Sequence, residues 1–110
     1  MRHQWATVHE LARIAALRDL PGETLGRLAS RMQRQSLTSG QQVRIEDSFA
    51  VVITGLVSVT ADEGPARTLE PGDSICDRGA TTLRTVMPAT IATCERTAYE
   101  AALVDGSGGP

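Results

Sequence analysis

Two cysteines and two histidines are the side chains of this sequence best suited to nucleophilic or metal chemistry, and their spacing favours neither. Cys76 and Cys94 are too far apart for the CxxC pattern of zinc and redox sites, and His3 and His9 have no further ligand at a metal-binding spacing. A redox-sensing role for Cys76 is the alternative, but a neutral buried thiol is the commoner state of a cysteine. We therefore expect two reduced core cysteines and no metal site.

Patterns typical of enzymes are also missing from the sequence. It contains no Gly-x-Ser-x-Gly nucleophile motif, no paired carboxylates and no Cys-His arrangement. Both histidines lie before or within the first predicted helix. The sequence predicts a protein that is not an enzyme and that has no cofactor.

Size and composition fit one small domain. A chain of 110 residues can bury a core without disulfides or metals, and because aromatic residues make up only 3%, that core must consist of Val, Leu, Ile and Ala. All basic residues are arginine, which fits a GC-rich bacterial source. The net charge of −2 argues against a nucleic-acid partner. Without an N-terminal apolar signal segment or an apolar run of membrane length, we expect a cytoplasmic protein with no membrane partner.

Two amphipathic helices are predicted in the first third of the chain. Leu11, Ile14 and Ala15 recur at helical spacing and indicate a helix over residues 9–17. Pro21 fits the first turn of the next helix, because its missing N–H is not needed there. The apolar stripe of this second helix is formed by Leu25, Leu28, Ala29 and Met32.

After residue 36 the apolar period changes from helical to two residues, which indicates β-strands. A dense apolar run at 51–53 is followed by a tight reversal at Gly55, and Val57 and Val59 then alternate with hydroxyl side chains. Many short strands joined by turns favour an antiparallel roll. The other predicted turns lie at 38–40, 62–65 and 70–73, and a last strand lies at 90–94.

The C-terminal part predicts a short helix and a flexible tail. Thr97 and Glu100 match a capping box, which would open a helix that ends near Leu103. The last six residues have no apolar content to bury. We therefore expect an N-terminal arm at 1–8, one domain at 9–104 and a flexible tail at 105–110.

Together these elements predict an α+β fold that is mainly β. The expected architecture is an antiparallel β-roll of the double-stranded β-helix or jelly-roll type, with an N-terminal helical pair and a short C-terminal helix. A common apolar core should join the helical pair to the roll. The residues predicted to face it are Leu11, Ile14, Leu25, Leu28, Val51, Ile53, Val57, Val59 and Leu69.

The order of these elements and turns resembles the cyclic nucleotide-binding domain family, which includes bacterial catabolite-activator-type regulators and kinase regulatory subunits. The opening segment LARIAALRDLPGETLGRLASRM resembles the helical pair of that family. Gly40 matches the family's turn into the roll, and Gly55 matches the glycine after the Val/Ile-rich strand. Gly72 and Asp73 match the pair that precedes the phosphate-binding cassette, so we expect these four residues to form structural turns.

The resemblance implies a cassette in which a short helix, a glutamate and an arginine hold the cyclic nucleotide. Asp77 and Arg78 stand where the family usually has Gly and Glu, and an arginine side chain has no acceptor for a ribose hydroxyl. Arg84, followed by Thr85, matches the phosphate arginine. Because it comes only six positions after Arg78 (84 − 78), we expect a truncated cassette helix over 79–83.

These departures predict a non-catalytic regulatory module that has lost nucleotide binding and acts through a protein partner or self-association. The alternative is a sensor that still binds a cyclic nucleotide or another anion. Its ligand-binding residues would be Arg78, Gly79, Ala80, Arg84 and Thr85. A simpler interpretation makes Arg84 a surface residue or an ion-pair partner of Asp73 or Asp77, and makes 77–78 a solvated turn.

Overall fold

The computed structural model describes residues 4–61 and 65–107, which form seven strands and three helices. None of the helices in these two ranges is long and apolar enough to cross a membrane. In chain order the elements are β1 (Gln4–Trp5), α1 (Val8–Ala12), α2 (Gly22–Ala29), β2 (Gln33–Leu37), β3 (Gln42–Thr54), β4 (Val57–Ala61), β5 (Arg67–Leu69), β6 (Ser74–Thr85), β7 (Ala89–Glu95) and α3 (Arg96–Ser107).

The strands form one sheet in the order β1-β2-β7-β3-β6-β4-β5, and every neighbouring pair is antiparallel. This confirms the predicted mainly β, antiparallel roll with flanking helices. The predicted turn at 62–65 falls largely on residues 62–64, which lie outside the described part of the chain.

The sheet separates two apolar cores, so the prediction of one common core that joins the helical pair to the roll is wrong. One lies between the sheet and the helices and is called the helical core here; the other fills the inside of the roll and is called the roll core. All residues predicted to face the interior are buried except Ile53, which is half-buried. The largest members of the helical core are Leu11, Ile14, Leu17, Leu28, Met32 and Phe49. The roll core includes Val52, Val57, Val59, Ile75, Leu83 and Ile91.

Strand β3 contributes to both cores because its side chains alternate between the two faces of the sheet. Phe49 and Val51 belong to the helical core, and Ala50 and Val52 belong to the roll core. Asp47 interrupts the strand with a left-handed φ of 50°, beside a shift in register between β3 and β6. This bulge changes which residues face the inside of the roll.

An ion-pair cluster fixes the bulge to the start of α3. The Nε atom of Arg96 donates to Asp47 Oδ1 at 2.6 Å, and its Nη1 atom donates to both carboxylate oxygens of Glu100 at 2.9 Å. Hydrogen bonding to these two carboxylates raises the pKa of Arg96. The cluster therefore holds the residue with the unusual φ against the last helix.

The first helix is shorter than predicted. Helix α1 ends at Ala12, whereas the apolar spacing predicted a helix to residue 17. The N–H of Ala15 donates to the carbonyl of Gly72 at 3.0 Å, so it does not bond Leu11 as a continuing helix would require. Leu17 donates to the carbonyl of Ile14, which keeps both side chains buried at three-residue spacing.

Helix boundaries differ from the predictions at three further places. Pro21 is the N-cap of α2 and precedes its first turn. Helix α3 begins at Arg96, so Thr97 lies inside the helix and does not form the predicted capping box. Thr7 and Glu10 form a capping box at the start of α1. Helix α3 also continues to Ser107, so half of the segment assigned to a tail is helical, and residues 108–110 lie outside the described chain.

The segment predicted to be an N-terminal arm contains a short strand. Gln4 and Trp5 pair with Arg34 and Gln33 at one edge of the sheet. This pairing extends the sheet by one strand, β1, and joins the start of the chain to the segment after α2.

Candidate functional site

The segment that should hold the phosphate is a β-strand. Residues Ser74–Thr85 form strand β6, whose register to β3 shifts at residues 78–79, so the predicted truncated helix over 79–83 is wrong. Thr82 is paired on one side with Arg44 of β3 and on the other with Thr60 of β4. Since the backbone of a strand between two neighbours bonds within the sheet, its N–H groups do not converge on an anion as they do at a helix N-terminus.

Arg84, the residue aligned with the phosphate arginine, lies on the outer face of the roll. Leu83 and Thr85 on either side of it are buried, while Arg84 is exposed beside Gln42 and Ser58 of the adjacent strands. The alternation of a strand therefore directs its guanidinium away from the roll core.

Of the two simpler interpretations of Arg84, the surface position agrees with the structure and the ion pair does not. Among the described residues, no salt bridge joins Arg84 to Asp73 or Asp77. Asp73 accepts a hydrogen bond from the Glu70 N–H at 2.8 Å, and Asp77 accepts one from the Thr81 hydroxyl at 3.2 Å. Arg84 is a surface arginine in this structure.

The other predicted ligand residues are not brought together with Arg84. Arg78 is exposed near the middle of the same strand, six residues before Arg84 and about 15 Å or more from it at the usual rise per residue. Gly79 is exposed with open space at its Cβ position, and Ala80 is half-buried opposite Glu46. Two guanidinium groups so far apart cannot contact one small phosphate.

Thr85 has a structural role in the turn between β2 and β3. Its buried hydroxyl donates to the carbonyl of Thr38 and accepts the N–H of Gln41 at 3.0 Å. These bonds fix the turn between β2 and β3 and leave the hydroxyl occupied.

The turn residues matched to the family have the conformations that turns require. Gly40, Gly55 and Gly72 have φ values of 78°, 86° and 98°, a region that side chains rarely adopt. The Asp73 N–H donates to the Glu70 carbonyl at 2.9 Å, which closes the turn at 70–73.

The two thiols lie in one row across the sheet, on either side of Phe49. Phe49 is paired with Cys76 on β6 and with Cys94 on β7, and its ring stacks on Tyr99 of α3 with the centroids 3.9 Å apart. Two strand spacings separate the cysteine Cα atoms by about 9.5 Å, beyond the roughly 7 Å that a disulfide spans.

Burial distinguishes the two thiols. Cys94 is buried, and burial raises its pKa from about 9 to about 11. Cys76 is exposed, so its predicted core position is wrong; β4 pairs with β6 only at 81–85, so β3 is the one described strand that pairs with Cys76. The pKa of Cys76 is also raised, chiefly by partial desolvation and then by the charge of Glu100. Both thiols are therefore protonated at neutral pH.

A cavity of about 460 Å³ lies on the helical side of the sheet, and the sequence did not predict it. Its walls come from α1, β2, the end of β3 and the turn before β6, so its residues are distant in sequence. The described residues contain no group of three His, Cys, Asp or Glu side chains that could hold a metal ion. The residues that matter to its chemistry are His9, Glu10, Arg13, Arg34, Ile53 and Pro71.

No protein-family model and no curated protein matches this chain. Solved structures do match it. The regulatory domain of Toxoplasma gondii PKA with cAMP has a TM-score of 0.70 and 18% identity, over 87% of this chain and 43% of that chain. The sensor domain of the transcriptional regulator DNR from Pseudomonas aeruginosa has a TM-score of 0.70 and 19% identity, over 91% of this chain and 78% of that chain.

A cyclic nucleotide-binding-like protein from Brucella abortus matches over 87% of this chain and 96% of its own length, with a TM-score of 0.60 and 18% identity. The chain spans less than half of two of the PKA regulatory structures that it matches, 40% of one and 43% of the other. These similarities agree with the strand order and the helical pair. The chain has the fold of the cyclic nucleotide-binding domains.

Proposed function

We propose that this chain is a non-catalytic regulatory module that does not bind cyclic nucleotides in its roll and that acts by contacting another protein. The observation that carries the proposal is the continuous strand β6, which occupies the place of the phosphate-binding cassette. A fold can keep its scaffold after its ligand chemistry has changed, so function has to be argued from the site and the surface.

The inside of the roll supports this proposal. Near the cassette position, β6 contributes the apolar side chains of Ile75 and Leu83 to the roll core. It also contributes the buried hydroxyl of Thr81 and the acidic Asp77, to which this hydroxyl donates. A cyclic phosphate buried among them would lack a positively charged partner, and an unpaired buried charge is costly. Arg84 does not supply that partner, because it is exposed on the outer face.

The sensor alternative with a site near Arg84 has less support for the same reason. Its proposed ligand residues, from Arg78 to Thr85, extend along one strand instead of surrounding a pocket. An anion at Arg84 would be held by one solvated guanidinium, which is worth little in water.

Support for a protein-binding role comes from the surface. Val86 and Met87, in the connection between β6 and β7, are 56% and 46% exposed. The connection is fixed to the roll, because the Val86 N–H donates to the Leu56 carbonyl at 2.9 Å and the Val86 carbonyl accepts the Ser39 hydroxyl at 3.3 Å. Large apolar side chains on a rigid connection suit contact with a protein.

Calorimetry tests the nucleotide part of the proposal. Titration with cyclic AMP and cyclic GMP should give no saturable heat up to about 1 mM ligand, where an affinity worth only about 4 kcal/mol would be detected. Arg84→Ala is the matched variant: saturable binding that this change abolishes would favour the sensor alternative.

Co-purification from the native cell tests the protein part. The wild-type chain should recover a companion protein in stoichiometric amount, identified by mass spectrometry. The variant Val86→Ser with Met87→Ser should lose it while its melting temperature stays within a few degrees, since both side chains are exposed. Recovery of the chain alone, or as a homodimer only, would contradict a heterologous partner.

A further inference from the structure

The cavity on the helical side of the sheet has a charge pattern that differs from the inside of the roll. Arg13 and Arg34 line it together with one acidic residue, Glu10, and with His9. With His9 neutral, the two guanidinium groups and the one carboxylate leave a net charge of +1 (2 − 1). The cavity is therefore suited to an anion.

The carboxylate of Glu10 is already occupied. Its Oε1 atom accepts the Thr7 N–H at 3.0 Å as part of the capping box, and its Oε2 atom lies 3.1 Å from Arg34 Nε. The same contact orients Arg34, whose side chain is 34% exposed.

The two guanidinium groups still have unused donors. Arg34 Nε is buried and, although paired in charge with Glu10, is not aligned for a hydrogen bond. The terminal nitrogens of Arg34 and the guanidinium of Arg13 bond no other residue in the described ranges. Guanidinium donors prefer carboxylate and phosphate oxygens, with which they form charge-assisted pairs.

Apolar side chains complete the cavity. Ile53 and Pro71 line it beside the charged groups, and its volume of about 460 Å³ lies within the range of small-molecule sites. Inorganic phosphate would leave most of this space unfilled. We infer that the cavity binds a small organic anion, namely a carboxylate or a phosphate monoester attached to an apolar body.

The test is a titration with phenyl phosphate and with benzoate, followed by two-dimensional amide NMR on the isotopically labelled full chain. Both probes carry one anionic group on one aromatic ring, and they separate phosphate from carboxylate recognition. Phenol and inorganic phosphate serve as control ligands, because phenol has the aromatic ring without the anionic group and phosphate has the anionic group without the ring. Arg13→Gln removes a cavity charge, and Arg84→Gln makes the same change on the outer face of the roll.

At least one of the two aromatic anions should cause saturable shifts of amides near residues 9–14, 34, 53–54 and 72, with half-saturation at about 1 mM. Arg13→Gln should weaken this binding about fivefold or more, whereas Arg84→Gln should change it less than about twofold. Phenol and inorganic phosphate should each bind more weakly than the better aromatic anion.

Three results would overturn the inference: no saturation up to about 20 mM of either anion, equal weakening by the two arginine variants, or shifts confined to β6 and the roll interior. The inference is independent of the proposed function. Cyclic nucleotide binding in the roll would contradict the proposed function but not the inferred anion site in the cavity. Failure of both aromatic anions to bind in the cavity would contradict the anion site but not the proposed protein-binding role.

Discussion

At the scale of single residues, Gly55 leaves the least room for a side chain among the glycines in the described part of the chain. A Cβ atom there would lie 2.4 Å from the Pro88 carbonyl oxygen, in the connection between β6 and β7, and 2.6 Å from Ala89 Cα, at the start of β7. Gly40 has a similar left-handed φ of 78° but open space at its Cβ position. Substitutions at these two glycines therefore distinguish the free-energy cost of a left-handed backbone from the additional cost of a steric clash.

We expect Gly40→Ala to lower the free energy of unfolding by about 1 to 2 kcal/mol, the usual penalty of a left-handed residue with a side chain. Gly55→Ala adds a backbone clash to the same penalty, so it should lose more than about 3 kcal/mol. Urea denaturation of both variants measures the difference. Equal losses would mean that the connection at Pro88 moves aside without cost.

The Cys94 thiol predicts a loss of stability in alkali. Burial raises its pKa from about 9 to about 11, so between these values the unfolded chain ionises while the folded chain stays protonated. The unfolded state then binds fewer protons, and stability falls as pH rises from 9 to 11, by about 2 to 3 kcal/mol. Burial also raises the pKa of Tyr99, which adds a decrease of the same sign.

Denaturation midpoints between pH 8 and 11, compared for the wild type and Cys94→Ala, isolate the thiol. The variant should be less stable at pH 8 but should lose less stability with rising pH. Parallel curves for the two proteins would show that Cys94 titrates normally in the folded state.

At the scale of elements, sequence patterns predicted most strands and the apolar face of both early helices, because these depend on local periodicity. They missed the end of α1, which is determined by a hydrogen bond from Ala15 to Gly72, a contact between distant segments. They also missed the strand conformation of residues 79–83, because that prediction followed from the family resemblance. Two threonines there, Thr81 and Thr82, favour a strand. The cavity combines four segments, and no local pattern could have indicated it.

Strand β6 predicts that repairing the cassette sequence will not restore nucleotide binding. The double variant Asp77→Gly with Arg78→Glu changes two side chains but leaves the rest of β6 paired with β3, and with β4 from Thr81 onward. We expect its dissociation constant for cyclic AMP to stay above about 100 μM, or roughly 5.5 kcal/mol of binding free energy. Calorimetry measures this value, and a low-micromolar constant would show that the segment can rearrange into a helix.

At the scale of the whole molecule, the helices and the roll share one sheet as the wall between their cores. Val57 is fully buried in the roll core, whereas Ser58 is half-buried on the outer face beside Arg84. Substitution by Asp should therefore destabilise the domain at position 57 but have little effect on its stability at position 58.

Val57→Asp should unfold the domain, because an unpaired buried carboxylate costs several kcal/mol and a domain of this size has a total stability of about 5 to 15 kcal/mol. Ser58→Asp should change stability by less than about 1 kcal/mol, since its side chain can reach water and lies near Arg84. Circular dichroism melting curves compare the two variants. A folded Val57→Asp protein with an unchanged melting temperature would mean that the register of β4 is wrong.

Strand β3 contributes side chains to both the helical core and the roll core, and this limits how the two layers can move apart. Because Phe49 and Val51 are held by the helices while Ala50 and Val52 are held by the roll, neither layer can separate without disturbing the backbone of the other. The amide hydrogens of this strand should therefore be among the slowest to exchange with solvent, through opening of the whole domain. A displacement of the helices, by an anion in their cavity or by a partner, would reach the roll through β3 and through β7, which also contributes side chains to both cores.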